Sequence, residues 1–134
     1  MKTYLIDTNF LLRFLLKDNP IQYAETEKLF SSAQKRKSCI LVTPATLHEA
    51  VYVLTRYYKV TRAETSELLQ KFLHTDIAEI KDKEVLTTAL EVFTMTKLDF
   101  HDLYLCAYAH LHKLTLSTFD KELINLQKTQ KLIS

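Results

Sequence analysis

Short apolar runs, separated by long segments of helical periodicity, constrain the fold of this chain more than any other feature. The strongest runs are 3–7 (TYLID), 39–43 (CILVT) and 114–117 (LTLS), with weaker ones at 77–80 (IAEI) and 131–133 (KLI). Runs this short suit strands that are buried on both faces of a sheet. Strands that alternate with helices predict an α/β protein, in which helices cover a parallel sheet on both sides.

The segments between these runs carry helix signals. Asn19 before Pro20 predicts an N-cap followed by proline at the first helical position. Thr61 and Glu64 have the spacing of a capping box, and Asp82 is a candidate cap for the next helix. Residues with helical spacing mark the expected buried faces; they are Leu47, Ala50, Val51 and Leu54, then Leu86, Leu90 and Phe93, then Leu103, Ala107, His110 and Leu111.

The chain contains no glycine at all. This excludes the glycine-rich phosphate loops of dinucleotide-binding and P-loop proteins, whose backbone must approach a phosphate closely. It also predicts that Asn, Lys, His or Asp takes the helix-end and turn positions where glycine is usual.

The bulk composition is that of an ordinary globular protein, and the 134 residues suit one domain spanning 1–134. No apolar stretch approaches the roughly 18 residues of a spanning helix, and the first residues do not resemble a secretory signal. We therefore expect a cytoplasmic protein with no membrane partner. Cys39 and Cys106 fit small core residues, and the basic run 35–37 fits a solvated helix end.

Four acids lie where strands end or helices begin. They are Asp7 after the first run, Glu49 in the helix after the second, Asp102 near the start of a later helix, and Asp120 after 114–117. In a parallel sheet, all four positions fall at the edge formed by the carboxyl ends of the strands. Four carboxylates there would repel one another. Mg²⁺ or Mn²⁺ would relieve this repulsion, because hard cations prefer carboxylate oxygens.

Each acid also has a simpler structural interpretation. Asp7 and Asp120 could each cap the helix that follows. Glu49 could be an exposed helix residue, and Asp102 could form a capping box with Asp99. The metal interpretation depends on four separate segments placing an acid at the same edge.

Four segments resemble, in order and spacing, the acidic motifs of PIN-domain ribonucleases, and among these the small VapC-like toxins of bacterial toxin–antitoxin pairs. The segments are YLIDTNFLL, HEAVYVLTRYY, LDFHDLYLCAYA and LSTFDKEL. The resemblance spans nearly the whole chain. It implies a three-layer α/β/α sandwich with a central, mainly parallel sheet, and an acidic Mg²⁺ site that cuts single-stranded RNA.

The resemblance also assigns roles to residues. Asp7, Glu49, Asp102 and Asp120 take the four acidic, catalytic positions, with Asp7 and Asp102 as the direct metal ligands. Asn9 and Thr118 match polar residues that could orient these carboxylates. His101 stands where the family often has alanine, and we expect it to be a partly exposed residue at a helix start.

The resemblance implies metal-dependent hydrolysis of RNA, and the predicted carboxylate cluster, together with the lack of a histidine pair placed for acid–base catalysis, agrees with it. Candidates for phosphate contacts are Arg13, Arg56 and Lys121, while Tyr52 and Tyr104 fit packing between helices better than base stacking. The resemblance also implies a cognate antitoxin and a homodimer. The alternative is a non-catalytic PIN-like module that binds RNA or another partner.

Overall fold

A computed structural model describes residues 1–129 of the chain. Within this range the strands are β1 (Lys2–Leu5), β2 (Ser38–Val42) and β3 (Ala78–Ile80). The helices of the same range are α1 (Thr8–Leu16), α2 (Pro20–Gln34), α3 (Pro44–Arg56), α4 (Arg62–His74), α5 (Lys83–Phe93), α6 (Phe100–Leu111) and α7 (Lys121–Thr129).

The strands form one parallel sheet in the order β1-β2-β3. Leu5 of β1 pairs with Leu41 of β2, and Leu41 pairs with Glu79 of β3. Because the strands run in the same direction, the segments that follow them leave the sheet at one edge. Asp7 follows β1 there and Thr43 follows β2, so the position predicted for Asp7 is confirmed.

The helices cover this sheet in a three-layer α/β/α sandwich, which confirms the predicted fold class. Ile40 and Val42 of β2 lie in the core, and α3 and α5 bury the apolar faces expected of them. In α6 the expectation holds for the buried Leu103 and Ala107, whereas His110 is exposed.

Two of the three predicted helix caps form as expected. The side chain of Asn19 accepts a hydrogen bond from the amide of Gln22, with Pro20 in the first turn. Thr61 accepts from the amide of Glu64 at the start of α4. Asp82 precedes α5 with φ 59° and ψ 30°, and its side chain makes no cap hydrogen bond. A capping side chain normally projects from extended backbone, so this left-handed conformation explains why the prediction for Asp82 is wrong.

Of the residue types predicted for turns that would favour glycine, Lys and Asp are found there, whereas Arg36 was not predicted. The residues with positive φ in the described range are Lys17, Arg36, Lys59, Asp76, Asp82 and Lys113. At the end of α6 the amide of Lys113 donates to His110 and that of Leu114 to Ala109. This is the Schellman arrangement, with lysine in the left-handed position that glycine usually takes.

The strand predictions need three corrections. The first strand begins and ends earlier than 3–7, so that Asp7 lies beyond it, and three of the four residues of β1 are exposed. Residues 114–117 form no strand, because the Leu114 amide closes the end of α6 and the Leu114 side chain is 58% exposed. The run 131–133 lies outside the described residues. By contrast, β2 and β3 match their predicted runs within a residue or two.

Three smaller expectations can also be compared with the structure. Cys106 is buried as expected, whereas Cys39 on β2 is only half-buried. The basic run 35–37 is exposed at the end of α2, as predicted. None of the helices within residues 1–129 combines the length and the apolar character needed to cross a membrane.

Candidate active site

Asp7 is fixed at the carboxyl edge of the sheet by its role as a helix cap. Its Oδ1 accepts a hydrogen bond of 2.8 Å from the amide of Phe10 in the first turn of α1. The residue is exposed, so its carboxylate is in contact with solvent. The capping interpretation of Asp7 is therefore confirmed, and Asp7 remains in position to present negative charge at this edge.

Asp120, another of the four predicted acids, likewise caps a helix, at the start of α7. Its Oδ1 accepts from the amides of Glu122 at 2.9 Å and Leu123 at 3.3 Å. The hydroxyl of Thr118 in turn accepts from the amide of Asp120 at 3.0 Å. Thr118 thus holds the backbone that carries this acid, although no strand precedes it.

Asp102 lies in the first turn of α6 and is partly buried. A negative charge is favourable there because of the helix macrodipole. Asp99 is the N-cap residue of this helix, but its side chain makes no cap hydrogen bond. The capping box suggested for Asp99 and Asp102 therefore lacks the Asp99 hydrogen bond, and Asp99 instead lines a cavity beside α3.

The Cys106 thiol connects two of the four acids. Burial raises the pKa of this thiol, and the charges of Asp102 and Asp120 raise it further. Asp102 lies on α6, one turn before Cys106, and Asp120 caps α7, which packs against α6. Glu49 is exposed on α3, one residue after His48.

The acids do not form a preassembled metal cage. Among residues 1–129, no group of three or more His, Cys, Asp or Glu side chains is arranged to hold a metal ion. The assignment of Asp7, Glu49, Asp102 and Asp120 as one catalytic cluster therefore stays a prediction, as do the orienting roles of Asn9 and Thr118.

The structure reveals a histidine pair that the sequence analysis missed. The rings of His48 and His101 lie 5.5 Å apart between centroids. His48 Nδ1 lies 2.7 Å from the carbonyl oxygen of Pro44, so this nitrogen carries the proton that is shared with the oxygen. Its Nε2 is then an acceptor, and it is buried without a hydrogen-bond partner in the described structure. The two residues are far apart in sequence, so only their positions next to Glu49 and Asp102 could have signalled the pair.

Comparison with protein families identifies the fold. Residues 4–129 match the model of the PIN domain. The chain belongs to the PIN domain family. PIN domains are typically nucleases, the nucleases among them generally use a divalent metal, and RNA is the substrate that the family suggests. A search of curated proteins finds no significant match.

The donor chemistry of this PIN domain suits a hard divalent cation. Mg²⁺ is usually held by one or two carboxylates and keeps several of its waters, so it does not require three protein ligands. The charges of two carboxylates, Asp102 and Asp120, both raise the pKa of the Cys106 thiol. In both Asp7 and Asp120, the oxygen that accepts the helix-cap hydrogen bond is Oδ1. The residues therefore fit an ion bound by one or two acids, but not a closed site of three.

The candidate RNA contacts of this PIN domain differ from one another in the structure. Arg13 is half-buried. Its guanidinium donates hydrogen bonds to Asp18 and to the Tyr58 hydroxyl, so it connects α1 with the segments that follow α1 and α3. Arg56 and Lys121 are exposed, in accordance with solvated side chains.

The two tyrosine candidates also differ. Tyr104 packs as expected, and its hydroxyl donates to Asp82 at 2.6 Å. Burial, followed by this hydrogen bond, raises the pKa of Tyr104. Tyr52 is 55% exposed, so the expectation that it packs between helices is wrong.

Proposed function

We propose that this PIN domain is a Mg²⁺- or Mn²⁺-dependent endoribonuclease of the VapC-like toxin branch. The observation that carries the proposal is the packing of α6, which carries Asp102, against α7, which Asp120 caps. Two carboxylates in one place repel each other unless a cation or a proton intervenes. A site of this kind, in a family of nucleases, supports hydrolysis of RNA.

In the proposed site Asp7 and Asp102 hold the metal, and Glu49 and Asp120 orient the attacking water. A bound divalent cation polarises a phosphoryl oxygen and makes water a stronger nucleophile at neutral pH. Asn9 and Thr118 position the acids beside them. For Thr118 this role is supported by its hydrogen bond with the Asp120 amide.

The chemistry proposed is direct attack of water on phosphorus. The P–O3′ bond breaks, the leaving oxygen takes up a proton, and the products carry a 5′-phosphate and a 3′-hydroxyl. The 2′-hydroxyl of RNA is not required for this route.

A metal-free route is the second candidate, and the proximity of His48 and His101 favours it. In that route the 2′-hydroxyl gives up its proton to a base and attacks phosphorus, the P–O5′ bond breaks, and the 5′-oxygen leaves with a proton from an acid, so that a 2′,3′-cyclic phosphate and a 5′-hydroxyl form. Burial lowers the pKa of His48, so a smaller fraction of His48 carries the proton that a general acid must donate at neutral pH. A non-catalytic module that binds RNA or another partner is the remaining alternative.

The test compares cleavage of single-stranded RNA by the wild type and by Asp7→Asn and Asp102→Asn in Mg²⁺ and in EDTA. Asparagine is as good an N-cap as aspartate, so Asp7→Asn removes the charge while keeping the cap of α1. We expect the rate to fall by roughly a hundredfold or more in each variant, since metal ligands matter at least as much as the groups that orient them. Products are identified by their end groups.

Asp76→Asn is the matched control, because Asp76 is exposed and precedes β3, at the opposite edge of the sheet from Asp7. It should cleave like the wild type. Cleavage that survives EDTA with cyclic phosphate ends would favour the histidine route. No cleavage by the wild type on any RNA would favour the non-catalytic module.

The biological setting is part of the same proposal. We propose that residues 1–134 form one domain, and that the protein acts in the cytoplasm as a homodimer and is held inactive by a cognate antitoxin. A gene for a small DNA-binding protein beside this one would support the toxin role. If co-expression of that small protein failed to relieve growth arrest caused by the proposed toxin, it would not be the antitoxin.

A further inference from the structure

A cavity of about 290 Å³ lies between α3 and the first turn of α6. Its lining includes His48 and His101, which directly precede Glu49 and Asp102 in the sequence. Glu49 and Asp102 do not line the cavity themselves, but each is one residue along its helix from a histidine that does. Its volume is at the lower end for ligand sites, so it suits a single ring system better than a protein segment.

The wall near α4 is rigid and positively charged. Arg62 donates through Nε to the Phe93 carbonyl at 2.9 Å and through Nη2 to the Leu98 carbonyl at 2.6 Å. Its guanidinium also lies 3.5 Å from the centroid of the Phe93 ring. Burial lowers the pKa of Arg62, but arginine keeps its proton at neutral pH. Both hydrogen bonds go to neutral carbonyls, and the one acid that lines the cavity, Asp99, offsets part of the Arg62 charge.

The wall formed by α3 carries an exposed aromatic ring beside a second arginine. Tyr52 lines the cavity and is 55% exposed. The Arg56 guanidinium lies 5.7 Å from the centroid of the Tyr52 ring, and Arg56 lines the same cavity. An exposed aromatic face next to an arginine is the combination that holds unpaired bases and their phosphates in proteins that bind single strands.

We propose that this cavity binds one unpaired base of single-stranded RNA, stacked on Tyr52, while Arg56 contacts the adjoining phosphate. The inference rests on the proposed function and adds a substrate subsite to it. A base held there would place the neighbouring phosphodiester beside Glu49 and Asp102. The site favours RNA over a peptide because two arginines, Arg56 and Arg62, line it against one acid, Asp99.

The test measures binding of a fluorescent single-stranded RNA by anisotropy in EDTA, where metal-dependent cleavage does not interfere. A second probe has the same length and charge but carries no bases. The variants are Tyr52→Leu, which removes the ring, and Tyr52→Phe, which keeps it. Tyr57→Leu is the control for loss of a ring outside the cavity, because Tyr57 is 74% exposed and does not line the cavity, although its ring lies edge-on to Tyr52 at 6.4 Å between centroids.

Stacking on one base is worth enough to predict that Tyr52→Leu weakens binding of the base-bearing probe about tenfold. Tyr52→Phe and Tyr57→Leu should bind it like the wild type. Tyr52→Leu should leave binding of the abasic probe unchanged. Arg56→Gln should lower the slope of log K against log salt by about 0.7, as expected for one phosphate contact to a single strand.

The proposal is overturned if Tyr52→Leu binds the base-bearing probe as tightly as Tyr57→Leu, or if it loses equal affinity for both probes. It is also overturned if Tyr52→Leu dissociates a dimer in size-exclusion chromatography, since the ring would then belong to an interface between two copies. Failure of the proposed function is distinguishable. Binding that depends on Tyr52, without any cleavage, would reject the nuclease proposal and keep the subsite. RNA cleavage by a protein whose RNA binding does not depend on Tyr52 would reject the subsite and keep the nuclease proposal.

Discussion

Asp7 and Asp120 each bind the first amides of a helix while occupying positions proposed for catalysis. The two roles are compatible, because a cap engages one carboxylate oxygen and fixes the side chain that carries the other. A substitution by alanine would remove both roles at once and cost about 1 kcal/mol of stability. Asparagine separates them, and for that reason it is the informative change at both positions.

His48 combines a buried ring with a titratable group. Burial lowers its pKa, the hydrogen bond with Pro44 opposes that shift, and the charge of His101 adds to the lowering. The native protein therefore holds His48 neutral at a pH where the unfolded chain, with an ordinary pKa near 6.5, is already protonated. Since the unfolded state then binds more protons, stability must fall as the pH drops below about 6.5.

We predict that the free energy of unfolding decreases between pH 7 and pH 5, and that His48→Asn reduces this decrease. The amide of asparagine can still donate to Pro44 but does not titrate. Urea denaturation at several pH values measures the slope of the free energy of unfolding against pH. A loss of packing in the variant lowers this free energy equally at every pH and leaves the slope unchanged. His110→Asn, at an exposed position on α6, should retain the wild-type slope; an unchanged slope in His48→Asn would contradict the prediction.

At the level of elements, helix ends show how the chain manages without glycine. Lys113 after α6 and Arg36 after α2 both adopt positive φ, at 57° and 61°. Both ends show Schellman hydrogen bonds, with Arg36 donating to Ala33 and Lys37 to Ser32 after α2. A side chain with a Cβ is strained in this conformation, so these turns store a modest conformational cost.

Lys113→Gly should therefore raise the free energy of unfolding by about 0.5–1 kcal/mol, since glycine relieves the strain at the left-handed position. Lys35→Gly is the matched control, because Lys35 ends α2 with φ −83°. It should destabilise by a similar amount through the entropy of the unfolded chain. Denaturant titration of both variants gives the comparison, and destabilisation by Lys113→Gly would show that no strain is stored there.

For the whole molecule, the position of α6 matters most, because this helix carries Asp102 and borders the cavity. Arg62 connects the start of α4 with the end of α5 and with the segment before α6 through its two carbonyl contacts. Ser66, also on α4, is buried and donates to the Leu90 carbonyl of α5 at 2.7 Å. These contacts between distant segments set where the first turn of α6 lies relative to α3.

Metal binding should stabilise the whole fold. A ligand that binds only the native state adds about 2.7 kcal/mol at a hundredfold excess over its Kd, so Mg²⁺ should raise the melting temperature relative to EDTA. Thermal denaturation followed by circular dichroism measures the shift. Asp102→Asn should abolish it, and KCl of matched ionic strength should not reproduce it. An equal shift in Asp102→Asn would exclude Asp102 as a ligand.

The sequence by itself determined the α/β class, the parallel arrangement, two of the three predicted caps and the use of Lys and Asp in left-handed turns. These features follow from periodicity and from backbone preferences that act over a few residues. The carboxyl-edge position of Asp7 belongs with them, since it needs only the end of a strand.

Only the tertiary structure decided the features that depend on contacts between distant segments. It left 114–117 outside the sheet, because the Leu114 amide bonds within the end of α6. It brought His48 beside His101 and exposed Tyr52 at a cavity. Whether a side chain is buried, paired or exposed depends on which surfaces pack against it, and no local pattern contains that information.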